Sequence, residues 1–366
     1  MTLAAAVWIS GLPVLISDSL VSRQGSVPTQ LSLPSWGPVA DLLSEEREIT
    51  PTALCQKTEL IGESIAVAWS GPVIHASRVM QVLEDNAASF RNVQEVEQIL
   101  EGFRSEPEHK NSAFVGFFRE PTGEIKQFTE NGWSIPSERY GQVCLIGSGA
   151  DYFRQLLEAE SVFDEFRRSK QFVDVLSEAL TLTGLLLTVE ISTGWTVSSG
   201  YGGAYDVTTL LEDRWVMTGN PAKVAFVHWT CDWAKDDLRL RVVVVRGHYG
   251  KTARYQVLEF GPKGRIVREE DFLVEGARTF FRSGSPRPSL HESTIPFDFE
   301  SVWMCNYFLL RSPKFDQDRI VTHVTYTPLQ RPPLAFRRTG ANTIRVDFLD
   351  PTWSKVSESL QRSAGY

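Results

Sequence analysis

A threonine stands directly behind Met1, and short apolar runs with polar ends follow it at fixed distances. Threonine is small, so Met1 is expected to be trimmed. Trimming would leave a hydroxyl and a free α-amine on one residue. Such an amine titrates near 8 and can act as base for its own side chain, a known way to activate a weak nucleophile. Residues 2–8 (Thr-Leu-Ala-Ala-Ala-Val-Trp) and 12–18 (Leu-Pro-Val-Leu-Ile-Ser-Asp) read as two strands. Gly11 marks the turn of a hairpin between them, and Asp18 ends the second strand.

Further along, Lys57 precedes a third apolar run, Ile65-Ala66-Val67-Ala68-Trp69, which ends in Ser70-Gly71. Val73 to Ser89 then carries Val73, Ala76, Val79, Met80 and Leu83 on one face, the pattern of an amphipathic helix. A strand-glycine-helix junction turns backbone N–H groups outward, where they can hold a developing oxyanion. Leu145-Ile146-Gly147-Ser148-Gly149 repeats the strand-then-glycine pattern ahead of a second helical stretch.

In these spacings the chain resembles the proteasome β-subunit family of N-terminal nucleophile hydrolases over roughly residues 2–220. Asp18 lies sixteen residues after Thr2, and Lys57 lies fourteen before Gly71; the family's aspartate, lysine and oxyanion glycine are spaced alike. The resemblance implies an α+β fold: a four-layer α-β-β-α sandwich over residues 1–222, with an insertion at about 23–55. A β-rich C-terminal domain of unassigned role, 223–366, would be added to it.

The resemblance also implies roles. Thr2 Oγ attacks an amide carbonyl, Lys57 lowers the pKa of that site, and Asp18 fixes Lys57. Gly71 N–H stabilises the oxyanion, and Ser148 bonds near the α-amine. Trp69 and Val73 are placed at the substrate pocket, where a Trp would favour small side chains such as Ala or Gly. Two features depart from the family. Thirty-eight residues separate Asp18 from Lys57, more than is usual there; they read as a loop with a short helix. And Ser198 and Tyr201 stand where the family places its supporting Asp and Ser.

The rest of the sequence bounds the reading. No run approaches eighteen apolar residues, so no membrane span is expected, and the apolar N-terminus lacks the basic region of a signal peptide. Cys55, Cys144, Cys231 and Cys305 are scattered, as in a reduced, cytoplasmic protein. Residues 1–223 carry 16 Lys and Arg against 29 Asp and Glu, whereas 224–366 carry 21 against 16. That break agrees with a boundary near Gly219-Asn220-Pro221. The net charge of −8 argues against nucleic-acid binding.

His228 and Cys231 form an isolated His-x-x-Cys without a second pair at zinc spacing. No metal and no cofactor is expected. Strands are expected over 225–230, 238–246, 253–260, 320–327 and 344–348, with a long loop over 271–301. The expected function is a threonine peptidase, with a peptide or protein as substrate. It would be a homo-oligomer able to form rings, with an ATPase or other protein as partner. The alternatives are an inactive scaffold of the same ancestry, which Tyr201 and Ser198 favour, and a small-molecule amidase using the same site.

Overall fold

The hairpin at the start of the chain organises the first half of the molecule. The computed structural model describes residues 2–27, 29–43, 48–158, 171–219, 222–249, 252–280, 301–340 and 342–365. β1 (Ala4–Ile9) and β2 (Leu12–Asp18) pair antiparallel from Ala4↔Ser17 to Ile9↔Leu12. Ser10 and Gly11, both at positive φ, make the two-residue turn, the geometry that suits the twist of paired strands. The run of small alanines keeps β1 thin, so it can lie buried on both faces.

The insertion follows as β3 (Leu20–Gln24), β4 (Ser32–Leu33), β5 (Gly37–Pro38) and β6 (Ile49–Leu54). β3 pairs with β6, and residues 39–42 form a 3-10 turn. The expected short helix corresponds to this 3-10 turn, while the expected loop also holds two short strand pairs, β3–β6 and β4–β5; residues 44–47 lie outside the described set. Next come β7 (Thr58–Ile61), β8 (Ile65–Ser70), α1 (Val73–Asn86), α2 (Val93–Gly102), β9 (Ala113–Arg119) and β10 (Ile125–Glu130). β11 (Trp133–Ser137), β12 (Gly141–Ile146), α3 (Ala150–Glu158), α4 (Phe172–Thr193), α5 (Trp195–Ser198), β13 (Tyr205–Leu211) and β14 (Arg214–Met217) follow.

Two antiparallel sheets result, ordered β11-β12-β1-β2-β13-β14 and β10-β9-β8-β7. Alternation along β8 decides what each face buries. Ala66 and Ala68 join Ala4, Ala6 and Leu15 of the first sheet. Ile65, Val67 and Trp69 join Val79, Met80 and Leu83 of α1 and Val96 and Leu100 of α2. At about 25 cal/mol per Å² of buried apolar surface, these two clusters are the main force holding the sheets and helices in register.

The chain forms two compact units: Met1–Ala179 with Thr193–Met217 and Val274–Pro288, and Leu180–Ser192 with Thr218–Leu273 and Ser289–Tyr366. The second contains β15 (Val224–Asp232), β16 (Asp237–Tyr249), β17 (Thr252–Phe260) and β18 (Ile266–Val274). After α6 (Ala277–Phe280) of the first unit come β19 (Trp303–Arg311), β20 (Arg319–Tyr326), β21 (Leu334–Gly340), β22 (Thr343–Phe348) and α7 (Thr352–Ser363). Its main sheet runs β18-β17-β16-β15-β19-β20, with β15 and β19 parallel. Val227, Trp229, Val243, Val245, Leu258 and Phe308 pack there with Val356 and Leu360 of α7.

These findings correct the expected fold class. Of the described residues 45% are strand and 28% helix, in several antiparallel sheets with few helices, which does not match a four-layer α-β-β-α sandwich. The insertion adds two strand pairs, β3–β6 and β4–β5, to the expected loop and short helix. α4 passes from the first unit to the second after Ala179, so it does not serve the first unit as one continuous helical layer. α3, the helical stretch expected after Gly149, ends at Glu158; residues 159–170 lie outside the described residues, as do 281–300 of the expected long loop.

α4 is, by length and composition, the one described helix able to cross a membrane, a span that the sequence reading did not expect. Of its most apolar window 72% is buried, the burial of a core helix.

Candidate active site

Asp18 is the anchor of the site. It ends β2, where the strand leaves its pairing with β1 and its carboxylate can turn inward. One oxygen, Oδ1, accepts from Leu3 N–H at 3.0 Å and from Lys57 Nζ at 2.7 Å. The other, Oδ2, accepts from Gly202 N–H at 2.7 Å and Leu20 N–H at 3.3 Å. Hydrogen bonds to a carboxylate favour its ionised form and hold it in one orientation.

Lys57 joins this carboxylate to the threonine. Its Nζ donates to Thr2 Oγ1 at 2.7 Å as well as to Asp18. Thr2, Asp18 and Lys57 are 1%, 0% and 1% exposed, so little solvent screens the contacts between them. Burial is the largest influence on both charges. It pushes the Lys57 ammonium down and the Asp18 carboxyl up, and the attraction of each for the other opposes the shift. The direction that bears on chemistry is that of Lys57: an ammonium that holds its protons less tightly than in water points at a hydroxyl.

Backbone geometry closes around Thr2. Gly149 N–H donates to Thr2 carbonyl O at 3.1 Å. Gly147, at φ +88°, approaches so closely that a Cβ there would lie 2.1 Å from the same oxygen. Only glycine fits such a place. Between the two glycines Ser148 is exposed, and among the described residues its hydroxyl makes no hydrogen bond.

Gly71 lies at the β8–α1 junction, held in register with Lys57 because Trp69 N–H donates to Lys57 O at 3.2 Å. Its φ of +105° and the Asn111 carbonyl O, 2.3 Å from where a Cβ would stand, again demand glycine. Trp69 is buried in the cluster formed with α1 and α2, and Val73 packs half-buried against that cluster. Thus Thr2, Asp18, Lys57, Gly147 and Gly149 are brought together directly. Trp69 and Val73 belong to the hydrophobic packing behind Gly71.

Several contributors are not visible as motifs. Ser17 Oγ and Thr58 Oγ1 lie 2.7 Å apart, both fully buried, and tie β2 to β7 beside Lys57; a hydroxyl next to each charged residue in an apolar run is their only signal. The turn before β13 supplies Gly202 N–H to Asp18. Tyr201 is buried there, its ring 2.9 Å from where a Cβ on Gly149 would be, and Ser198 Oγ donates back to Trp195 O at 2.8 Å within α5.

No protein-family model and no curated protein matches the chain. Among solved structures, eukaryotic HslV from Trypanosoma brucei is similar over 57% of this chain and 98% of its own. The identity is 14% and the TM-score 0.33. A likeness that distant carries no weight beside the geometry. Among the described residues no cluster of three or more His, Cys, Asp or Glu could hold a metal ion. All four cysteines are free and buried.

Proposed function

We propose that this chain is an N-terminal threonine hydrolase that cleaves amide bonds in peptides. The observation that carries the reading is the placement of Lys57 Nζ, 2.7 Å from both Thr2 Oγ1 and Asp18 Oδ1 in a buried setting. Cleavage of the bond before Thr2 would free its α-amine. Thr2 Oγ then bonds to the substrate carbonyl carbon while the amine takes the hydroxyl proton. Lys57 stabilises the negative charge gathering on Oγ, and Asp18 holds Lys57 in place. Gly71 N–H is assigned to the oxyanion; one such donor contributes about 3 kcal/mol. The C–N bond breaks as the α-ammonium returns its proton to the leaving amine. Water, deprotonated by the same amine, then hydrolyses the ester on Thr2.

The test is turnover of short fluorogenic peptide amides by chain released in front of Thr2 through a cleavable fusion. Hydrolysis that vanishes in Thr2→Ala and survives in part in Thr2→Ser is expected. Absence of turnover in a folded, released chain would favour a second reading, a binding scaffold. The near-complete burial of Thr2 and the exposed, unbonded Ser148 favour that reading.

A further inference from the structure

A second polar chain, buried at its two histidines and exposed at its two arginines, lies against Gly71. Arg78 pairs with both oxygens of Glu106, at 2.9 and 2.8 Å. Glu106 Oε2 lies 3.4 Å from His75 Nδ1. His75 Nε2 is 3.3 Å from His109 Nδ1, and His109 Nε2 is 3.2 Å from Glu130 Oε1. Glu130 takes two bonds from Arg104, at 2.8 and 2.9 Å. His75 and His109 are 1% and 2% exposed and pack against Phe103 and Phe114.

Counting protons shows what this arrangement lacks. Three links, Glu106–His75, His75–His109 and His109–Glu130, need one proton each. Two neutral imidazoles supply two, since each carries a single N–H. If His109 donates to Glu130 and His75 donates to His109, His75 Nδ1 is left as a bare acceptor facing a carboxylate. Among the described residues this buried nitrogen makes no hydrogen bond. One added proton on Nδ1 would face the Glu106 carboxylate 3.4 Å away, and a small closing shift of that pair would then complete every link.

We propose that the His75–His109 pair is a proton-operated lock on the β8–α1 turn, taking up one shared proton in mildly acidic solution and joining Glu106 to Glu130 in a continuous chain. The lock reaches the turn through backbone. His109 belongs to the 3-10 turn Pro107–Asn111, whose last residue lies against Gly71. His75 is in the first turn of α1. Asn131 Nδ2 braces the same segment by donating to His109 O and Ser112 O.

The surrounding charges set the range. Arg78, Arg104, Glu106 and Glu130 cancel one another, so the added proton brings a net positive charge into a buried place. Glu101 beside Arg104 and the neighbouring Glu97 favour it weakly, and Glu108 and Lys110 are exposed. Burial and the proximity of His109 hold His75 below the usual histidine range, while Glu106 opposes them. His75 therefore takes up its proton at lower pH than a free imidazole does.

The test is a titration of the full chain with 15N-labelled histidine by NMR from pH 8 to 4.5, together with hydrogen exchange of residues 71–76. His75 and His109 should titrate together, one proton per pair, and protection at 71–76 (the intrinsic exchange rate at each pH divided by the observed rate) should rise as they do. Glu106→Gln can donate an amide proton to neutral His75 without added charge. It should lower the pair's midpoint by at least one pH unit and make the protection at 71–76 independent of pH. Independent titration of the two rings, or protection at 71–76 that ignores their titration, would overturn the lock. Neither readout needs turnover, so failure of the hydrolase reading would leave this test intact.

Discussion

Both units bury polar side chains to the same depth, but to different ends. In the first, Lys57 is held by a carboxylate that four donors fix, and its remaining reach ends on the Thr2 hydroxyl. In the second, His228 is sealed between β15 neighbours. Its Nδ1 lies 3.4 Å from Thr188 Oγ1, its ring stacks at 5.3 Å on Tyr307, and no charge faces it. Burial drives the His228 pKa down to about 3, so the ring is a neutral packing group across the physiological range. Burial alone therefore does not make a reactive centre. What distinguishes the Lys57 site is that each charge is matched and the Thr2 hydroxyl closes the chain of contacts.

The comparison breaks most visibly at Lys57. Lys57→Met leaves Asp18 buried without its cation, and should cost about 3–5 kcal/mol of stability in urea unfolding. Replacing both partners, Lys57→Met with Asp18→Asn, should restore much of that, whereas activity should be lost in both. A double variant whose loss equals the sum of the losses in Lys57→Met and Asp18→Asn would show that the pair is not coupled. Gly147→Ala comes next. Its Cβ would press on Thr2 O from a left-handed conformation, and roughly 1–3 kcal/mol should be lost from strain, together with the Thr2 reactivity. Full reactivity in that variant would mean that Thr2 need not be clamped.

How much of this was legible in the sequence follows from the kind of interaction involved. Asp18 and Lys57 stand out because charged residues interrupt apolar runs, and Gly71 and Gly147 because glycine ends a strand before a helix. The donors that hold Asp18, from Leu3, Leu20 and Gly202, are backbone N–H groups, which leave no mark on residue identity. The fold was less legible. The helix expected at 73–89 agrees with α1 because its apolar period is clear. β19, with Trp303, Cys305, Asn306 and Tyr307 buried on both faces, shows no alternation, and β3 and β6 were hidden in a segment rich in Pro and Gly. The family's layered architecture, carried over with its motifs, overreached for the same reason: spacing among a few site residues does not fix how many helices cover a sheet.

The second unit offers a smaller contrast through pH. The folded state holds His228 neutral, while the unfolded chain protonates it near 6.5, so stability falls as pH drops from that value toward 3. At 1.36 kcal/mol per pH unit, His228 should account for about 2 kcal/mol lost at pH 5. His228→Phe should remove that part of the pH dependence while His323, also lowered by burial, keeps its own. An unchanged pH profile would mean that His228 is solvated. The smallest expected effect is at Ser148, exposed on its turn: Ser148→Ala should change stability by less than about 0.5 kcal/mol, so any marked loss of hydrolysis there would report contact with the freed α-amine.

The most direct test is the intact mass of chain released in front of Thr2, before and after exposure to a peptide epoxyketone. That reagent closes a ring by bonding to both the hydroxyl and the free amine of one N-terminal threonine. A mass gain of one inhibitor molecule, mapped to Thr2 and absent in Thr2→Ala and Lys57→Met, is the expected result. A folded, released chain that gains no mass from this reagent or from a smaller-headed analogue would contradict the assignment of Thr2 as a nucleophile.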